Sequence, residues 1–74
     1  MNFSTIHVSY RDGSKPKGIR VVLGFSGGTT REFYTDRNGD VVVEHASTGR
    51  ADVYVSGNKV GTFHAPGETA VFIR

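Results

Sequence analysis

The sequence predicts a small all-β domain, a sandwich of about seven short antiparallel strands. Three observations carry that prediction. Ten glycines in 74 residues cut the chain into short segments, as turns cut a chain of strands. Within the segments apolar and polar residues alternate, the period of a strand with one buried face. No window holds the i, i+3, i+4 apolar pattern over three helical turns, which excludes a long helix.

Each element follows in order. Ile6, Val8 and Tyr10 alternate with His7, Ser9 and Arg11 as the first strand. Asp12-Gly13-Ser14-Lys15-Pro16-Lys17-Gly18 is a loop, because Asp-Gly and Pro-x-Gly favour turns. Ile19, Val21 and Leu23 alternate with Arg20, Val22 and Gly24, and Ser26-Gly27-Gly28 then turns the chain. Thr29 to Thr35 is the third strand, with Phe33 on one face and Glu32 and Tyr34 on the other. Asp36-Arg37-Asn38-Gly39 is the strongest local signal, since Asn-Gly tolerates φ > 0 where a tight hairpin requires it. Val41, Val42 and Val43 follow at once, so strands three and four are expected as antiparallel partners. After Ser47-Thr48-Gly49, Ala51, Val53 and Val55 alternate with Asp52, Tyr54 and Ser56. Ser56-Gly57-Asn58-Lys59 is a second tight turn, into a strand with Val60, Thr62 and His64. Ala65-Pro66-Gly67 is the last turn, and Ala70 to Arg74 close the domain. Two sheets pressed on a shared core accommodate this set.

Length and charge bound the rest. The chain, residues 1–74, is one domain. A domain near this size buries only roughly 60% of its unfolded surface, and its stability is about 5 kcal/mol or less. It has no cysteine, so disulfides and cysteine–zinc chemistry are absent. Nine Lys and Arg against seven Asp and Glu leave a net charge of +2, too little to imply nucleic-acid binding by itself. No apolar run approaches the ~20 residues of a membrane-spanning helix. The opening Met1-Asn2-Phe3-Ser4-Thr5-Ile6 lacks the basic and apolar regions of a secretion signal. A cytoplasmic setting is expected if Met1 is the native start, and an extracellular or envelope setting if the chain is a piece of a longer protein.

Several motifs resemble those of one family. The run from Tyr10 through Asp12-Gly13-Ser14-Lys15-Pro16-Lys17-Gly18 to Leu23, with D-G-x-x-P-x-G in its loop, is similar to a strand, a D-G-x-P-x-x-G-type loop and an apolar strand. Thr35-Asp36-Arg37-Asn38-Gly39-Asp40-Val41 adds a T-D-x-N-G turn, and Ala51-Asp52-Val53-Tyr54-Val55-Ser56-Gly57, with V-x-V-x-G, is similar to a V-x-V-x-x-G strand. Together they resemble carboxypeptidase regulatory-like (transthyretin-like, or prealbumin-like) domains. The resemblance implies an immunoglobulin-like or prealbumin-like sandwich used as a structural or adhesive module without catalysis. It also raises an internal lysine amide, for which Lys15 or Lys17 with Glu44 are the candidates, although the last strand offers no Asn.

Candidate chemistry is sparse. Asp36, Asn38 and Asp40 have the opening spacing of a calcium loop, but Val41 and Ser47 stand where that loop needs Gly and Glu. A hairpin turn in which Asp36 caps Asn38 accounts for them. His7, His45 and His64 lack metal-ligand spacing and are expected on strand surfaces. Gly24-Phe25-Ser26-Gly27-Gly28 has no helix after it, so it builds neither a nucleophile elbow nor a phosphate loop. No catalytic residue, metal ligand or cofactor site is therefore assigned, and an enzyme is not expected. Two candidate binding surfaces remain. Arg11, Lys15, Lys17 and Arg20 form the one basic cluster, interrupted by Asp12. Tyr34 and Tyr54, if both face outward on one sheet, make an aromatic platform for a sugar or a protein. The expected role is a non-catalytic module that binds a protein partner or a second copy of itself. The alternatives are a carbohydrate-binding module using the tyrosines, and an OB-like or SH3-like barrel for single-stranded nucleic acid.

Overall fold

A computed structural model describes residues 1–73, and every regular element among them is a strand. In chain order these are β1 (Asn2–Tyr10), β2 (Arg20–Phe25), β3 (Gly28–Thr29), β4 (Phe33–Tyr34), β5 (Asp40–His45), β6 (Gly49–Val55), β7 (Asn58–Ala65) and β8 (Glu68–Ile73). The expected last strand ran to Arg74, which lies outside the described residues. The small sheet has the order β5-β1-β8; the large sheet has the order β3-β2-β6-β7, with β4 also paired to β2. The two sheets share no strand, so the domain is a two-sheet sandwich and the barrel alternative is set aside.

The alternation read from the sequence places the core. Ile6 and Val8 of β1, Val41 and Val43 of β5 and Val71 of β8 face inward from the small sheet. Val21 and Leu23 of β2 and Val53 and Val55 of β6 meet them from the large sheet. Ile6, Val21, Leu23, Val43 and Val53 are completely buried. Burial of each such side chain is worth about 1.5–3 kcal/mol relative to exposure.

Four features correct the sequence reading. The third strand is broken: Thr30 takes the Leu23 N–H on its hydroxyl oxygen at 3.1 Å while its own N–H donates to the Leu23 carbonyl. A side chain that replaces a backbone rung releases the chain from the ladder, and pairing resumes only at Phe33–Tyr34. The Asn38-Gly39 turn is tight, but β4 and β5 are not partners. β4 joins β2 and β5 joins β1, so the turn is a corner between sheets. The Gly39 carbonyl accepts from the Val8 N–H at 2.8 Å, tying the corner to β1.

The third correction is direction. β8 lies parallel to β1, with Thr5 beside Glu68 and Tyr10 beside Ile73, because the corner after Ala65 carries the chain from one sheet to the other. The fourth is a bulge. The β6–β7 hairpin turns on Ser56 and Gly57, both at positive φ (52° and 85°), as expected. The ladder then steps from Tyr54–Lys59 to Val53–Gly61, leaving Val60 unpaired. That extra residue reverses the parity of β7, so Gly61, Phe63 and Ala65 share the core side, while Thr62 and His64 are exposed.

Candidate functional site

On the outside of the small sheet, β1 presents Phe3, Thr5 and His7, the parity opposite to Ile6 and Val8. Register sets Glu44 beside Phe3, Val42 beside Thr5 and Asp40 beside His7 on one flank. On the other flank Glu68 stands beside Thr5, Ala70 beside His7 and Phe72 beside Ser9. Phe3, Val42 and Phe72 are 60%, 55% and 61% exposed. Three large apolar side chains thus share one open sheet face, Phe3 and Val42 toward one end and Phe72, level with Ser9, toward the other.

His7 sits at the centre of that face. Its Nδ1 is 2.7 Å from Asp40 Oδ1, and its Nε2 contacts the Glu68 carboxylate. A carboxylate only accepts, so both ring nitrogens donate and the ring is the imidazolium. The hydrogen bond to Asp40, followed by that to Glu68, holds the His7 pKa above its ordinary 6.5. The imidazolium thereby bridges β5 and β8 across β1. The two carboxylates lie on opposite sides of the ring and have no common centre. Among the described residues no cluster of three or more His, Asp or Glu is arranged to hold a metal ion.

On the outside of the large sheet the two tyrosines do meet the sequence condition. Tyr34 pairs with Arg20 and Tyr54 with Val22, and Arg20 and Val22 are two residues apart on β2, hence on one face. Tyr34 is exposed and its hydroxyl donates to Glu32 at 3.1 Å, which raises the phenol pKa above its ordinary 10. Tyr54 is half-buried, because its ring occupies the space a side chain at Gly24 would fill, with Cε2 2.8 Å from that position.

The basic cluster does not form one patch. Lys15 Nζ donates to Ser9 Oγ at 2.8 Å, on the side of the small sheet, and so is engaged away from Glu44. Arg20 Nη1 reaches Glu32 at 3.5 Å on the outside of the large sheet. Lys17 is exposed in the loop, and Arg11 stands just past the end of β1.

The histidines need one correction. His45 is not on the surface but 4% exposed, with its ring 5.3 Å from that of Phe25. Its Nδ1 donates to the Ser47 carbonyl at 2.7 Å. In the neutral ring Nε2 therefore accepts, and Ser4 Oγ stands 2.7 Å away as the donor. Ser4 in turn accepts the Gly67 N–H at 3.2 Å. A serine on an imidazole has the distance of an activated nucleophile, yet Ser4 is 1% exposed and offers no open face to a substrate. The group clasps β1, β5 and the corner before β8. Asp36 does cap its turn, accepting from the N–H of Asn38 at 2.8 Å and of Asp40 at 3.0 Å.

Sequence reasoning passed over Phe3, Val42 and Phe72, although their parity is opposite to that of the core residues beside them. It also passed over the His7 bridge, whose members come from three strands. The fold and these surfaces define an all-β, two-sheet domain whose small sheet exposes Phe3, Val42 and Phe72 on its outer face. Comparison of the chain with protein-family models, with curated proteins and with solved structures found no match. None of the helices that cross membranes has a counterpart here: among the described residues no helix is long and apolar enough to span a bilayer.

Proposed function

We propose that the domain is a non-catalytic binding or scaffolding module that associates with protein, including a second copy of itself, through the outer face of the small sheet. The observation that carries this reading is that Phe3, Val42 and Phe72 all stand exposed on the sheet face that also carries His7. The domain extends 33 × 18 × 18 Å, so one long face offers at most roughly 600 Å² per partner, the range of a weak or transient contact. The turn motifs that resemble carboxypeptidase regulatory-like (transthyretin-like) domains belong to the same proposal, since that family's sandwiches serve as structural modules.

Sedimentation equilibrium tests it. Wild type is expected to associate reversibly as its concentration approaches about 1 mM, where a contact worth about 4 kcal/mol is half-saturated. The double variant Phe3→Ser, Phe72→Ser is expected to stay monomeric. A wild type that remains strictly monomeric over that range removes the self-association reading.

A second reading rests on Tyr34 and Tyr54 facing outward on the large sheet: a platform on which a sugar ring stacks. It predicts saturable tyrosine fluorescence changes with oligosaccharides that Tyr34→Ala abolishes. The nucleic-acid alternative has less support, because Lys15 and Arg20 lie on different sides of the sandwich and each already has a partner.

A further inference from the structure

We propose that the open end of the sandwich, between β7 and β8, is a binding cleft for an amphipathic carboxylate of the fatty-acid type. The cleft lies between the sheets; it shares Phe72 with the association face on the outside of the small sheet, while Phe3 and Val42 of that face do not line it.

Its geometry follows from the bulge. β7 and β8 leave a common corner and enter different sheets, each as the last strand of its sheet. Nearer the corner the seam is closed, for a side chain at Gly61 would stand 3.1 Å from Val71 Cγ1. One residue earlier β7 carries its unpaired Val60. A bulge bends its strand, and Asn58, Lys59 and Val60 line a cleft together with Phe72 and Ile73. The wedge so formed is a cleft of about 700 Å³, within the ~300–1,000 Å³ typical of small-molecule sites.

Its chemistry selects the ligand. Its aliphatic wall is Val55, which is buried, and the half-buried Ile19, Val60 and Ile73, with the polar Ser56 and Asn58 beside them. Arg11 and Lys59 stand at the rim. Among the described residues no Asp or Glu lines the cleft. Lys59 keeps a 3.5 Å contact with Asp52, whereas Arg11 makes no ion pair with any described residue. An unbranched hydrocarbon displaces water from the aliphatic walls, and a carboxylate matches the fork of a guanidinium. An alcohol of the same length lacks the charge, and an ammonium of the same length meets repulsion.

Amide shifts of the ¹⁵N-labelled chain, titrated with decanoate below its micellar concentration, test this. Saturable shifts are expected at Tyr10, Arg11, Ile19, Val60 and Ile73. Decyltrimethylammonium and decanol are expected to bind at least about tenfold more weakly. Arg11→Glu is expected to weaken decanoate by a similar factor, and Val60→Trp, which fills the wedge, to remove binding. Because Arg11 is exposed, the Arg11→Glu result stands even if Val60→Trp does not fold. The proposal is overturned by no saturation with decanoate, by equal binding of decyltrimethylammonium, by shifts centred on Phe3 and Val42, or by unchanged affinity in folded Arg11→Glu.

Discussion

Replacing Gly39 with alanine is expected to bring the domain close to its unfolding midpoint. Two costs add at this position. The backbone has φ +78°, a conformation that charges an L-residue roughly 1–2 kcal/mol. The added methyl would also be driven into the Val8 carbonyl oxygen, nearer than real side chains approach backbone. That oxygen belongs to the central strand of the small sheet, so it has no room to retreat, and Pro16 Cδ closes the other side at 3.3 Å. Overpacking of this kind adds about 1–3 kcal/mol. The sum, roughly 2–5 kcal/mol, is comparable with the whole stability of about 5 kcal/mol expected at this size. Two internal controls separate the contributions. Gly18 has φ +70° but nothing within 4 Å of its would-be side chain, so Gly18→Ala should carry the dihedral cost alone and melt roughly 5–15 °C lower. Gly27 has neither the constraint nor a neighbour within 4 Å, and Gly27→Ala should be neutral or stabilising by up to about 1 kcal/mol. Thermal melts followed by circular dichroism rank the three. If Gly39→Ala melts no lower than Gly18→Ala, the packing of the corner against β1 is refuted.

Three further outcomes are expected. The raised His7 pKa makes its bridge pH-dependent: the stabilisation is complete below the ordinary 6.5 and is lost as pH rises through the higher folded value. With a side chain 36% exposed it amounts to no more than about 1 kcal/mol, so the urea midpoints of wild type and His7→Gln should converge as the solution turns alkaline, and a gap that widens instead contradicts the bridge. Ser4→Ala strips a donor from buried His45 and an acceptor from Gly67, and should cost about 1–3 kcal/mol in urea denaturation; a loss below about 0.5 kcal/mol, the scale of surface changes, would mean the clasp does not form. Thr35→Val removes the hydroxyl that accepts from the Ile19 N–H at 3.0 Å and donates to the Pro16 carbonyl at 2.9 Å; the same 1–3 kcal/mol is expected, with faster amide exchange at Ile19 as the local sign.

What the sequence disclosed was local. Alternation in β1, β2 and β6 gave the inward residues because a strand with one wet face must alternate. Ser56-Gly57 announced its hairpin because both residues adopt positive φ. Asn38-Gly39 announced a turn just as truly, but a turn does not state whether its flanks pair with each other. That choice rests on the Gly39 carbonyl reaching Val8, a contact no window of sequence contains. The break at Thr30 and the bulge at Val60 were hidden for a related reason, since each depends on a partner strand. His45 shares the parity of Val41 and Val43, so its inward position was legible; its polar type concealed it until Ser4 and the Ser47 carbonyl were seen to satisfy it. Of the two candidate faces, the one on the large sheet was the one read. Tyr34 and Tyr54 came from their strand parity, while the His7 bridge joins residues 33 and 61 positions apart and left no local trace.

The side-by-side placement of the first and last strands has a mechanical consequence. Because β1 and β8 run in the same direction, Asn2 and Ile73 emerge toward opposite ends of the small sheet. A pull on the two termini therefore loads the rungs between these strands in shear, all together, rather than peeling them one after another. The same placement orders assembly of the domain: the middle strand of the small sheet waits for its second neighbour until the six strands between them have been made.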